Sequence, residues 1–290
     1  MRLLVAPLIL AMHHEIPIPT IHLFPPLDQL LIELLQSLST EDWGLQTLAP
    51  AWKVKDVAAH LLAGNIRNLS ISRDSFYDPG AATISSYQDV VDYLNLINHD
   101  WVKAMQSVSP QMLITLLSIT NSLYSDHLAK LNPLEKSVFP VAWAGEDESQ
   151  NWFHIAREYT EKWHHQQQIR HAIGQASPLF TKTFFTPYLD TSLRAVPYHF
   201  RNLDAKQGDT FSLMVSGEGG GEWHFMYEKD KWIAMAETPS YSVAKIYIDD
   251  QVIWRMLSNE ISVDELKNRT MVSGKKEIVD AFLGMTAVMV

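Results

Sequence analysis

No cysteine occurs in these 290 residues. That removes a disulfide framework, a thiolate nucleophile and any cysteine-based zinc site, so a bound metal must rely on His, Asp or Glu. Sulfur chemistry, if present, needs a thiol from outside the chain. The absence suits a reducing compartment, and a cytoplasmic protein is expected. Basic residues are outnumbered: 23 Lys and Arg against 33 Asp and Glu give a net charge of −10. No basic surplus is left to neutralise phosphates, so neither a nucleic acid nor an anionic membrane is an expected partner. Long apolar runs are missing too. The Met1–Met12 stretch has the shape of a secretory signal but no small-x-small cleavage site follows, and it falls short of the roughly 20 residues a spanning helix takes. It reads as an upstream start, with Met12 the working one. Gly217-Glu-Gly-Gly-Gly221 is not a dinucleotide fingerprint and sits between two strand patterns, so it reads as a hairpin turn. No G-x-S-x-G and no Walker motif occur, which removes the common serine hydrolases and P-loop enzymes.

What is present is a folded composition, 47% hydrophobic and 19% charged, with length enough for two domains. Residues 13–26 are rich in Ile and Pro and should be extended. Apolar residues at helical spacing predict helices over 27–38, 52–71, 87–108, 110–131 and 151–173, with Gly174 as the last one's stop, and another over 187–201. Asp78-Pro-Gly80 reads as a turn. The pattern then alternates: strands are expected at 211–216, 223–227, 232–236 and 242–248, followed by helices from 249, over 263–269 and over 275–290. The fold class is α+β, with a boundary near 204–208: an N-terminal extension over 1–24, a helical domain over 25–203 and a small α+β domain over 204–290.

The stretch 151–173 also carries chemistry. Glu161 and His165 are four residues apart and share a helix face, one turn from each other. A carboxylate and an imidazole so placed can hold one divalent ion. His60 is the candidate third ligand. It lies between Ala59 and Leu61 on an apolar helix, where an uncharged imidazole needs a polar partner, and Asp56 one turn earlier is placed to orient it. Two imidazoles and one carboxylate leave coordination positions open, as a catalytic site does. Glu158, Gln168 and His154 share the face, Gln168 as a weak ligand or a partner for bound water, while His164 is turned away by roughly 100°. Without a metal, the same residues make a polar helix seam of Glu–His hydrogen bonds.

Three stretches together resemble a known family. Trp52-Lys-Val-Lys-Asp-Val-Ala-Ala-His60-Leu-Leu-Ala-Gly64, Val141-Ala-Trp-Ala-Gly145 and Glu161-Lys-Trp-His-His165-Gln-Gln-Gln168-Ile-Arg-His-Ala-Ile-Gly174 are similar to the motifs of the mycothiol-dependent maleylpyruvate isomerase family, within the DinB-like superfamily. The likeness runs over about residues 25–175. It implies a DinB-like four-helix bundle, with His60, Glu161 and His165 in the places of the family's metal ligands. Many members have Asp where this chain has Gln168. The C-terminal part, with Ile248-Asp-Asp250 and Trp254, resembles the sterol-carrier-like α+β domain that often follows. The resemblance implies a divalent metal, zinc in the first place, and a low-molecular-weight thiol, acting on a small-molecule electrophile by isomerisation or S-transfer. A non-catalytic metal-containing ligand-binding protein is the alternative. Trp143 is a candidate wall of the thiol pocket, or a core residue. Arg67 and Arg157 could hold a substrate carboxylate, or make surface salt bridges. The oligomeric state, the electrophile and any catalytic residue beyond the ligands are not legible.

Overall fold

The computed structural model describes residues 16–77 and 86–288. The apolar run before Met12 and the turn at Asp78-Pro-Gly80 lie outside the described residues. The chain packs as two compact units: Met1–Phe139 with Ser149–Ser177, and Pro140–Glu148 with Pro178–Val290. Residues 178–203, placed with the bundle by composition, thus group with the sheet.

The first unit holds helices α1 (Phe24–Ser37), α2 (Val54–Asn68), α3 (Tyr87–Met105), α4 (Pro110–Leu128) and α5 (Asn151–Ala172). The Pro25-Pro26 pair, expected in an extended segment, instead opens α1. The first turn of a helix leaves its N–H groups unbonded, so proline sits there without loss. Past Asn68 the chain continues as a π-turn, Leu69–Arg73. Ser86 and Asp89 form a reciprocal cap at the start of α3, and Ser109 caps α4, whose first residue is Pro110. Gly174 takes φ +65° just past α5, a stop that residues with a Cβ resist. Helices α1, α2, α4 and α5 pack around Leu31, Leu35, Val57, Leu62, Leu113, Leu117 and Ile169, with α3 laid on α2. Trp101 of α3 donates its indole N–H to the Ala59 carbonyl of α2 at 2.9 Å, which ties the two.

Helix α5 is unusual. Its sequence carries Glu, Lys, Arg, two His and three consecutive Gln between Glu158 and Arg170, yet 18 of its 22 residues are buried. A helix polar on every side ordinarily faces water. Here its polar groups are turned inward, and several pair with one another or with the neighbouring helices, which is what places the site.

The second unit is a five-stranded sheet in the order β3-β2-β1-β4-β5, built from β1 (Thr210–Ser216), β2 (Gly221–Glu228), β3 (Lys231–Met235), β4 (Ala244–Asp249) and β5 (Thr270–Gly274). β1 pairs antiparallel with β2 and parallel with β4. Helices α6 (Lys182–Ser192), α7 (Val196–His199), α8 (Asp250–Leu257), α9 (Val263–Asn268) and α10 (Lys276–Leu283) complete it. Phe200 meets Phe211 and Trp232 edge-on, with ring centres 5.5 and 5.4 Å apart. Three expectations needed correction. Pro187, read as a helix start, lies inside α6. The last helix ends at Leu283, before Gly284, and does not run to residue 290. Strand β5 was not foreseen: it is an edge strand with four exposed residues, so its sequence has no alternation to reveal it.

Candidate metal centre

Helix α2 contributes His60, and α5 contributes Glu161 and His165. One donor atom from each comes together, all within 4.8 Å of one another. The His165 Nε2 is 3.3 Å from Glu161 Oε2. The rings of His60 and His165 meet edge-on with centres 4.6 Å apart. His165 is buried, whereas Glu161 keeps 32% of its side chain exposed, which leaves the cluster a route to solvent.

Gln168, one turn further on α5, sets the chemistry of His165. Its Oε1 lies 2.8 Å from His165 Nδ1. A carbonyl oxygen only accepts, so Nδ1 carries a proton. The other ring nitrogen then faces the Glu161 carboxylate. Two acceptors at 3.3 Å repel, so either a second proton or a cation must stand there. A divalent ion fits this requirement. Burial alone would raise the Glu161 carboxyl, but the hydrogen bond and charge of His165, then His60 and Arg157, outweigh it and hold the group down at about 2. Burial, followed by the charge of His165, pushes the His60 imidazole well below its usual value. His60 is therefore neutral, the form that binds metal, and its Nδ1 is buried with no hydrogen-bond partner. A neutral imidazole whose Nδ1 has no partner, a carboxylate and a second imidazole of fixed tautomer make a set of three donors compatible with a divalent ion.

Asp56 does not orient His60. Its Oδ2 accepts from the Lys53 backbone N–H at 2.9 Å and its Oδ1 accepts from Gln106 Nε2 at 2.6 Å. It caps α2, because a carboxylate in the first helical turn is drawn to the free N–H groups there. Gln168 is likewise no competitor for the ligand position but the partner of His165. The two arginines are not surface residues. Arg157 is buried, with its guanidinium on Glu158 Oε1 (2.5 Å) and His154 Nδ1 (2.9 Å). Arg67 donates to Asn98 Oδ1 at 2.7 Å and is mostly buried. Trp143 lies buried in a short 3-10 turn, Ala142–Ala144, of the second unit. One residue escaped the sequence reading. The Trp52 ring lies tilted against His60, with ring centres 4.6 Å apart, and 6.0 Å from His165, so it walls the cluster. The signal for it was its place at the head of the His60 motif.

The model of the mycothiol maleylpyruvate isomerase N-terminal domain matches residues 24–170, just over half of the chain. This chain belongs to that family. In fold, it is similar to two crystal structures of the mycothiol-dependent maleylpyruvate isomerase, one of them a mutant. Each has a TM-score of 0.52 and 12% identity, over 87% of this chain and 91% of the other. At that identity, the likeness extends to the fold: a helical region followed by a sheet with helices. No curated protein matches the sequence. Among the described residues, no helix is long and apolar enough to cross a membrane.

Proposed function

We propose that this family member is a divalent-metal-dependent enzyme that uses a low-molecular-weight thiol on a small electrophile, as an isomerase or S-transferase of the maleylpyruvate isomerase type. The observation that carries the metal is the triad itself: His60, Glu161 and His165 within 4.8 Å, with Gln168 fixing one imidazole. Family membership supports the thiol, and a cysteine-free chain needs an external one. Zinc is the ion that suits this donor set best.

His60, Glu161 and His165 would hold the ion. An ion held there would supply thiolate at neutral pH by lowering the pKa of the external thiol. The protein's own contributions are separate. Gln168 keeps the proton of His165 on Nδ1, which frees Nε2. Burial keeps His60 neutral. Glu161 would bring one negative charge to such an ion and so would neutralise it only in part. Trp52 keeps water off one side of the two imidazoles. Addition of a thiol to an activated double bond, rotation, and departure of the same thiol isomerises the bond with no net change in atoms. Retention of the thiol gives S-transfer.

The test begins with metal. Chelator-stripped protein titrated with zinc should take up one equivalent, and His60→Ala and Glu161→Ala should each lose it. A wild type that takes up none defeats the metal reading. The cobalt-substituted protein is then titrated with thiols. A visible spectrum that no thiol perturbs defeats the thiol reading while leaving the metal in place.

A further inference from the structure

A cavity of about 460 Å³ opens between α1 and α4, a size within the roughly 300–1,000 Å³ of small-molecule sites. None of His60, Glu161 and His165 lines it. Its wall includes two polar residues that are more than nine-tenths buried, Asp28 and Asn121. Lys162 of α5 holds the two together. Its ammonium donates to Asp28 Oδ1 at 2.7 Å and to Asn121 Oδ1 at 2.8 Å, and Asn65 of α2 donates to the same Asn121 oxygen at 2.7 Å. An oxygen that takes two donors fixes the amide, so Asn121 Nδ2 is the group turned the other way. That nitrogen and Asp28 Oδ2 are both buried and meet no partner among the described residues. Burial pushes the Asp28 carboxyl up against the pull of Lys162, as it does a carboxylate short of donors. Two unmet atoms in a knot otherwise fully paired are costly. Lys162 follows Glu161 but is turned from it by roughly 100°, so the knot and the triad occupy different sides of α5.

The two unmet atoms are unlike: one donates and the other accepts. A hydroxyl does both, and neighbouring hydroxyls on one ring can answer the pair together. The rim has the same chemistry. Ser118, Ser122 and Ser125 fall at i, i+4 and i+7 on α4, one face of the helix, and Asp126 adds a carboxylate that accepts from hydroxyls. Ser118 donates to the Ile114 carbonyl at 2.8 Å, which leaves its oxygen to accept. Lys162 meets the charge of Asp28, so the floor calls for no ion. We propose that this cavity is a second binding site, which takes a neutral sugar-like polyol, with Asp28 Oδ2 accepting from one hydroxyl and Asn121 Nδ2 donating to its neighbour. The site depends on neither the metal nor the thiol of the reading above.

The probes are D-glucose, D-galactose and D-mannose, each titrated into full-length protein labelled with nitrogen-15, with the diamine putrescine as the charged control. The readout is the side-chain amide signal of Asn121, identified by its loss in Asn121→Asp; affinities of the variants are read from backbone amides of α1. At least one hexose should shift the Asn121 signal to saturation, and putrescine should not. Asn121→Asp replaces the donor by an acceptor of the same shape and should weaken that hexose by about 10-fold, the size of one hydrogen bond lost from a site. Ser122→Trp, at an exposed position, should fill the cavity and abolish binding with the fold intact, which serves should Asn121→Asp fail to fold. Zinc uptake by Ser122→Trp should match wild type. A wild type blind to all three hexoses overturns the proposal, as does one that takes putrescine in their place, which would make the cavity an acidic groove. Asn121→Asp and Ser122→Trp proteins that bind the hexose like wild type overturn it too, and a Ser122→Trp protein that loses zinc would show that the cavity is not a separate site.

Discussion

The two units have opposite interiors. In the sheet unit, Phe211, Leu213 and Val215 of β1 sit beside Ala244, Ile246 and Ile248 of β4, all buried, with Phe282 packed on Phe211. Its buried polar knot is small: Ser212 Oγ bonds His224 Nδ1 at 2.8 Å and Ser242 Oγ at 2.7 Å. In the helical unit, the central helix buries ionisable groups by the turn. Lys162 bonds Asp28 Oδ1 at 2.7 Å and Asn121 Oδ1 at 2.8 Å, and Asn65 bonds the same Asn121 oxygen at 2.7 Å. Arg170 donates to the Leu30 carbonyl at 3.1 Å. An apolar interior needs only shape. A polar one needs a partner for each group, since an unpaired one costs about 1–3 kcal/mol. The difference teaches where to look for chemistry: in the interior that buries many ionisable groups, where some atoms, His60 Nδ1 among them, have no hydrogen-bond partner among the described residues.

Breaking one pair on each side should produce the largest effects. Lys162→Met strands Asp28, whose carboxyl burial already raises against the pull of Lys162. The unit should lose about 3–5 kcal/mol, the cost of a buried charge without its partner, and the double variant with Asp28→Leu should regain most of it. Phe211→Ala in the sheet should cost about 3–5 kcal/mol, and no second substitution of a charge restores it. Denaturant melts give the totals, and amide exchange in α4 and β1 assigns each loss to its unit. If Lys162→Met is tolerated, the polar interior is not held by its pairs.

Next in size is Gln168. Gln168→Ala should weaken zinc by about 10–100-fold with the fold intact, as loss of a ligand's orienting partner does. Gln168→Asp should bind zinc at least as tightly as wild type, because a carboxylate on Nδ1–H makes the imidazole more basic. Equal zinc affinity in all three proteins would remove Gln168 from the site.

How much was legible follows the same division. Strands β1 and β4 could be read because Phe211, Leu213 and Val215 and, across from them, Ala244, Ile246 and Ile248 recur at every second residue, all buried. Strand β5 has no buried face and left no trace. The helices of the first unit were legible within a few residues, but Pro25-Pro26 and Pro187 were read as breaks where the backbone accommodates them. For the site, Glu161 and His165 followed from helical spacing and His60 from its apolar setting. Asp56 was misjudged because i, i+4 spacing cannot tell a second partner from a cap. Gln168 was underestimated, and Trp52 missed, because both act across space on rings whose rotamers no sequence pattern fixes.

Acid should separate the units further. Burial holds the imidazoles of His60 and His154 well below their usual range. The unfolded chain protonates both below about 6.5, while the folded chain does not, so stability is full above that pH and is lost as pH falls. Glu161 has the same sign: held at about 2, it stabilises above its unfolded value and loses this as pH falls towards 2. Melts of chelated protein from pH 7.5 to 5 should show the helical unit weakening, and His60→Gln with His154→Gln should flatten that slope. An unchanged slope in the double variant would show that these two imidazoles are not its source.

The smallest effect tests whether the comparison stops at the surface. Ser86 caps α3 in the helical unit, accepting from Asp89 N–H at 3.1 Å, and Ser262 caps α9 in the sheet unit, accepting from Glu265 N–H at 3.2 Å. Both caps meet the same need, unbonded N–H groups in a first helical turn, and neither touches an interior. Ser86→Ala and Ser262→Ala should therefore each cost about 1 kcal/mol and leave zinc affinity unchanged. Denaturant midpoints of the two variants check this. Equal losses would place the contrast between the units wholly in their interiors. A Ser86→Ala protein that also loses zinc would show that the start of α3 is coupled to the helix it lies on, and with it to His60.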